Sequence, residues 1–208
     1  MAKLIGAISV FNEQPFIYGA LLNLVRLCAR VVVIDGAYLD FPGDGGASGD
    51  GTLEIIRAFP DPGKKIELIE SPPGGWADQV TKRNAYLIGE PGDWYLQIDA
   101  DERFFGDPRL LMETGADGYR VAVEDGHFPP MTPMRFFRHQ DGIRYHGAHN
   151  AIHIGDRLII QRDQLPLTDC WIEHFSRFRT IARMEAAEYY YERQYHQERA
   201  WREKAGYP

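Results

Sequence analysis

The run Gln97-Ile98-Asp99-Ala100-Asp101-Glu102 holds the densest chemistry in this chain. It reads as the end of a strand, and side chains alternate across a strand. Asp99 and Asp101 therefore face the same way if the strand persists. Two carboxylates at that spacing repel unless a cation lies between or beside them. Mg²⁺ or Mn²⁺ takes oxygen ligands and leaves positions open for phosphate oxygens. A metal so held would neutralise a diphosphate and make it a better leaving group. The bland reading of the same residues is a solvated acidic turn, and only their place in the fold separates the two.

That place is set by the elements before it. Residues 4–11 form a short apolar run rich in β-formers, and 31–34 an unbroken β-branched run typical of a strand covered on both faces. Strands follow at 66–70 and 94–98. Helical patterns intervene at 16–28 behind Pro15, at 52–59 and at 76–88, and the glycine-rich stretch 36–51 reads as a loop. Such β-α alternation predicts an α/β fold with a mostly parallel sheet and helices on both faces. Ligands of such sheets bind at the carboxyl ends of the strands. Asn12-Glu13, Asp35-Gly36 and Asp99-Ala100-Asp101 all fall there.

After residue 105 the pattern turns more antiparallel. Strands are expected at 118–123 and 134–138, a hairpin at 151–154 and 158–161, and a long amphipathic helix at 180–204. The expectation is one domain: a nucleotide-binding half (1–105), an acceptor and metal half (106–175) and a C-terminal helix (176–208).

Composition narrows the classes. The net charge is −7, with 44% hydrophobic and 25% charged residues over 208 positions. Residues 177–204 sum to about +2, which leaves about −9 on the rest. An acidic body argues against a general nucleic-acid binder, which needs a basic face. Two cysteines, Cys28 and Cys170, neither build a zinc framework nor demand oxidation. With no leader or spanning run visible, a cytoplasmic protein is the default. Ordinary packing on the body is the plain role for the C-terminal helix; a homodimer contact or a membrane-surface contact are its alternatives.

Four segments in order add a resemblance. Ile8-Ser9-Val10-Phe11-Asn12-Glu13 resembles the first strand of family 2 glycosyltransferases of the GT-A fold. Val31–Gly36 with 48–56 resembles their second strand and following helix, Lys82-Arg83-Asn84-Ala85 their basic-Asn segment, and Asp99-Ala100-Asp101-Glu102 their Asp-X-Asp signature. The resemblance covers about residues 4–105. It implies a metal-dependent transfer of sugar from a nucleotide-diphosphate sugar, UDP- or GDP-linked, to an acceptor hydroxyl. Ser9, Phe11, Asn12, Glu13, Asp35, Arg83, Asp99 and Ala100 would then line the donor site, with Asp35 on the nucleoside. Asp101 would ligate Mn²⁺ or Mg²⁺ directly, with Asp99 beside it.

Some members supply a late His to that metal, and His174 stands where one would. Each role has a structural rival: a turn for Asp35, helix capping for Asn12 and Glu13, an exposed helix cation for Arg83, packing for His174.

Two departures stand out. The family joins its second strand to the next helix by a short turn, whereas 37–47 is an apparent insertion here, either a lid or a passive surface loop. The segment 142–150 resembles one in which His-Glu supplies the base, but this chain has His149-Asn150. Asn is no base, so His149, Glu124 and Asp125 remain candidates, as does retention without a conventional base. Acceptors implied are a glycan, a lipid-linked sugar, a protein or a modified nucleic acid. The rival functions are a metal-dependent nucleotidyltransferase or pyrophosphatase, and a non-catalytic nucleotide-sugar binder.

Overall fold

The computed structural model of the chain describes residues 2–39, 41, 45–125, 131–158 and 165–175, the side chains of 148–150 excepted. Beyond these it describes only isolated positions from 178 to 204. The helix expected at 180–204 thus lies largely outside the described residues. So do Asp40 and Asp44 of the insertion.

The first half follows the alternation read from sequence: β1 (Leu4–Val10), α1 (Gln14–Leu27), β2 (Arg30–Asp35), α2 (Thr52–Ala58), β3 (Ile66–Ile69), α3 (Gln79–Asn84) and β4 (Trp94–Asp99). The second half is almost all strand: β5 (Glu102–Phe105), β6 (Gly118–Glu124), β7 (Met134–Arg138), β8 (Ile143–His146), β9 (Ala148–Ile154), β10 (Arg157–Leu158) and β11 (Leu167–His174). The sequence reading omitted β5, β8 and β11. It also overran α3, which covers only six residues of the expected 76–88. Trp76 instead sits in a bridge with Tyr38, its indole donating to the Asp35 carbonyl at 2.7 Å.

Eight strands form one sheet in the order β3-β2-β1-β4-β7-β6-β11-β5, and β10-β9-β8 form a second. The registers place β1, β2, β3, β4, β6 and β11 in one direction, with β7 and β5 opposed. Ser9 pairs with Asp99 and Val10 with Asp35, so the carboxyl ends of β1, β2 and β4 end level. Glu173, next to His174, pairs with Glu124, so β6 and β11 end on the same edge.

One face carries α1 and α2. Phe16, Ile17, Ala20, Leu21 and Leu24 make the buried stripe of α1, against Ile8, Val31 and Leu96 of the sheet. Burying each large aliphatic side chain contributes on the order of 2 kcal/mol. The opposite face, expected under helices, is covered mainly by the small sheet, the Trp76 segment and short α3. Ile5, Ala7, Val32 and Tyr95 pack there against Tyr86, Tyr145 and Ile152. Asn84 fastens α3 to the small sheet: its amide donates to the Tyr145 carbonyl and accepts from the Tyr145 N–H, at 3.0 and 2.7 Å.

The link between β4 and β5 controls the overall curvature. Only Ala100 and Asp101 separate them, so Asp99 and Glu102 stand at most about 10 Å apart. Yet three strands lie between β4 and β5 in the sheet order. A flat sheet would hold that pair about 19 Å apart. The sheet therefore curls until its β11-β5 edge meets the end of β4. Side-chain ties hold the curl. Asn23 of α1 bonds both the carbonyl and the N–H of Phe104 at 2.9 Å. The Arg103 guanidinium donates to the Phe16 carbonyl at 2.9 Å, in space left by Gly19. No helix among the described residues is long and apolar enough to cross a membrane.

Candidate active site

The level strand ends open onto a cavity of about 200 Å³. That is below the ~300–1,000 Å³ common for small-molecule sites, so a nucleotide sugar would lie partly outside it. β1 and the turn after it contribute Ser9, Val10, Phe11 and Glu13; the insertion contributes Ala37, Tyr38 and Phe41; α3 contributes Gln79 and Arg83. Asp99, Ala100, Asp101 and His174 close the other end.

Of the residues singled out from sequence, Ser9, Phe11, Glu13, Arg83, Asp99, Ala100, Asp101 and His174 meet in this cavity. Asn12 and Asp35 are not among its lining residues. Asp35 is fully buried, accepting from both the N–H (2.9 Å) and the hydroxyl of Ser48. The turn beyond it is made possible by Gly36, whose φ of 115° disfavours any side chain. Asn12 accepts from the Gly49 N–H, and its own N–H donates to Ser48 Oγ, each at 2.9 Å. Both residues thus tie the 48–51 loop to the strand ends. Glu13 occupies the N-cap position of α1 without a side-chain capping bond, and is buried with its side chain in the cavity wall. Lys82, next to Arg83, is buried beneath this floor, and its ammonium donates to the carbonyls of Val10 and Gly36.

The acidic end is built differently. The strand does not persist to Asp101: β4 ends at Asp99 and the chain turns. Asp99 and Asp101 still reach one cavity, because the turn is pinned by the Phe175 N–H donating to the Asp101 carbonyl at 2.8 Å. This sets His174 Nε2 3.1 Å from Asp101 Oδ2. Asp101 is completely buried. Asp99 lies 3.3 Å from the Arg135 guanidinium and 3.9 Å from that of Arg83. Arg135 also donates to Glu102 at 2.6 Å, and Glu102 accepts from the Asp99 N–H at 2.7 Å.

Arg135 and Glu102 were not assigned roles from sequence. The signal for Glu102 was its place in the acidic run. Arg135 arrives only because antiparallel β7 begins beside the end of β4.

These contacts shape the charges. Burial pushes the Glu102 carboxyl up to about 7; the Arg135 guanidinium opposes the shift and the Asp99 charge adds to it. For His174, burial disfavours the imidazolium, but the hydrogen bond its ring nitrogen donates to Asp101 and the charges of Asp101, Glu102 and Asp99 outweigh it. His174 therefore holds its proton above the ordinary histidine range.

Among the described residues, no group of three His, Cys, Asp or Glu side chains is placed to hold a metal ion. Two donors are nevertheless adjacent, Asp101 Oδ2 and His174 Nε2, and His174 Nδ1 is buried with no hydrogen-bond partner among the described residues. Carboxylate plus imidazole suits Mn²⁺. Mg²⁺-type sites often use one or two protein ligands and complete themselves with water and phosphate. The pair fits a metal completed by the ligand's own oxygens.

Of the base candidates, Glu124 is exposed at the end of β6 and Asp125 follows it partly buried; neither lines the cavity. His149 lies in β9, its side chain outside the described residues.

No family model matches this sequence, and no curated protein matches it. Solved structures show partial likeness. TarS 1-349 of S. aureus aligns with a TM-score of 0.43 at 20% identity, over 62% of this chain and 38% of that one. The mannosyltransferase PcManGT from Pyrobaculum calidifontis, in complex with GDP-Man and Mn²⁺, aligns with a TM-score of 0.44 at 20% identity, over 60% of this chain and 36% of that one. The chain thus spans well under two thirds of the length of either structure.

Proposed function

We propose that this chain is a metal-dependent glycosyltransferase that moves sugar from a UDP- or GDP-sugar to an acceptor hydroxyl. One observation carries the reading: Arg83, Asp99, Asp101 and His174, from α3, β4, the following turn and β11, line a single cavity at the carboxyl edge of the sheet. Asp101 and His174 would hold Mn²⁺ or Mg²⁺, with Asp99 beside them. The ion, when bound, supplies positive charge against the departing diphosphate.

The chain's own groups do the rest. Arg83 is a fixed cation in the same wall, held in place by Asp99 and by the Tyr145 ring 5.8 Å away. It suits a phosphate oxygen better than a lysine would, because its planar fork is already oriented. Phe11, Tyr38 and Phe41 offer an apolar surface at the other end, with Phe11 and Phe41 in edge contact at 5.5 Å. The acceptor hydroxyl would lose its proton to Glu124, Asp125 or His149, which single substitutions to Gln, Asn and Gln distinguish. The acceptor classes remain a glycan, a lipid-linked sugar, a protein or a modified nucleic acid.

The test is product analysis with UDP- and GDP-sugars, Mn²⁺ and a panel of acceptors. Release of nucleoside diphosphate with sugar on the acceptor supports transfer. Release of nucleoside monophosphate with sugar phosphate overturns it in favour of pyrophosphate-bond hydrolysis, and release of pyrophosphate from a parallel reaction of UTP or GTP with sugar 1-phosphate overturns it in favour of nucleotidyl transfer. Tight donor binding without any turnover points to a non-catalytic binder, the reading that Asn150 motivates.

A further inference from the structure

Gln79 opens α3, and Arg83 follows four residues later on the same helix face. Both line the cavity. Gln79 is only 3% exposed, yet its carbonyl Oε1 has no hydrogen-bond partner among the described residues. Folded proteins seldom keep a buried acceptor without a donor unless it serves something else.

The residues just before Gln79 are bonded to the aromatic part of the wall. Three residues before Gln79, Trp76 is bonded into the insertion: its N–H donates to the Ala37 carbonyl and its carbonyl accepts from the Leu39 N–H, each at 2.8 Å. That pairing holds Tyr38 in the wall. Gln79 thus lies in the chain between Trp76, which is bonded to the insertion, and Arg83, and it shares the cavity wall with Tyr38 and Arg83.

We infer that Gln79 reads the base of the nucleotide: its buried amide carbonyl accepts a hydrogen bond from a ring N–H of a base lying against the insertion's Tyr38. The inference rests on the nucleotide-sugar reading above. A carbonyl acceptor set opposite the ring nitrogen of the pairing edge meets an N–H in uracil and guanine but a lone pair in adenine and cytosine, whose donors there are exocyclic amino groups. Ala37, Tyr38 and Phe41 of the insertion are, on this account, part of the specificity wall.

Calorimetric titration of the full chain with UDP, GDP, ADP and CDP in the presence of Mn²⁺ tests this, alongside Gln79→Leu and, should that variant not fold, Gln79→Met. The unsubstituted chain should favour UDP or GDP. The variant should lose roughly tenfold in affinity for the favoured nucleotide, the worth of one hydrogen bond, and most of its discrimination. Its melting temperature should hold or rise, because the amide carbonyl has no partner among the described residues to lose. Unchanged discrimination in the variant overturns the role of Gln79, and a melting temperature lowered at unchanged discrimination marks the amide as structural. Preference of the unsubstituted chain for ADP or CDP overturns the base class. If that chain binds none of the four, the nucleotide-sugar reading itself fails, a result seen before any substitution is made.

Discussion

The ends of β2 and β4 use their carboxylates in opposite ways. At the end of β2, Asp35 is fully buried and Ser48 engages both of its oxygens. Lys82 beside it is turned inward to backbone carbonyls. At the end of β4, Asp99 and Asp101 face the cavity, and Glu102 is buried between a guanidinium and a main-chain N–H. Both clusters sit at strand termini with motif-like sequence. A carboxylate at a strand end is thus as ready to hold its own loop as to hold a ligand. Its neighbours decide which: a hydroxyl and N–H thirteen residues on satisfy Asp35 locally, whereas Asp101 is met by His174 from a distant strand.

The contrast can be broken most forcefully at Asp101. Asp101→Asn keeps a side chain that can bond His174 but removes the charge. Turnover in Mn²⁺ should fall by about a hundredfold or more, given the several kcal/mol that a catalytic metal contributes, while thermal unfolding stays cooperative. Full turnover in this variant would remove the acidic end from the mechanism.

Arg135→Ala should come next, because it strands Glu102 in the interior. Loss of one partner from a buried ion pair costs about 3 kcal/mol, read from urea unfolding. Adding Glu102→Gln should recover part of that loss, since the two residues are in contact and their effects do not add. Strict additivity would mean that the pair is not coupled.

A smaller loss is expected at the other end. Ser48→Ala leaves Asp35 with neither its hydroxyl partner nor a substitute. The cost is about 2 kcal/mol for a hydrogen bond to a charged group, with turnover per folded molecule close to that of the unsubstituted chain. A large drop in turnover with intact stability would instead place Asp35 or its loop in the site.

The gentlest test is pH. Glu102 and His174 both hold protons more firmly in the folded chain than in the unfolded one, so the folded state binds more protons and their contribution weakens as pH rises. For Glu102 this loss runs from its ordinary value of 4.5 to about 7. For His174 the contribution is complete below 6.5 and is lost as pH climbs through its raised folded value. The stability difference between the chain and Glu102→Gln should therefore shift against the chain across the Glu102 window. A flat difference would show that Glu102 ionises in the folded protein as readily as in the unfolded one.

Much of the first half was legible in the residues alone. β1 to β4 and α1 and α2 lie within a few residues of where apolar runs, Pro15 and the glycine-rich stretch put them, because local periodicity reports directly on which face is buried. Helix α3 was overestimated: 76–88 has a helical pattern, but Trp76 is taken by the insertion and Tyr86 by the small sheet. Strands β5, β8 and β11 were missed because their partners are remote, and β-propensity reflects packing against neighbours more than intrinsic preference.

Local sequence by itself determined that carboxylates would stand at the ends of parallel strands, since four short runs dictate those strands and the acidic residues follow them directly. It did not determine which carboxylates would face outward or what would stand beside them. That was decided by the curl of the sheet. A two-residue link between β4 and β5 can close only if the far edge comes round, and that closure brings His174 to Asp101 across 73 positions of sequence. Arg135 reaches Glu102 and Asp99 through an antiparallel pairing for the same reason. Contacts of that span depend on where strands pair, which no local pattern of residues encodes.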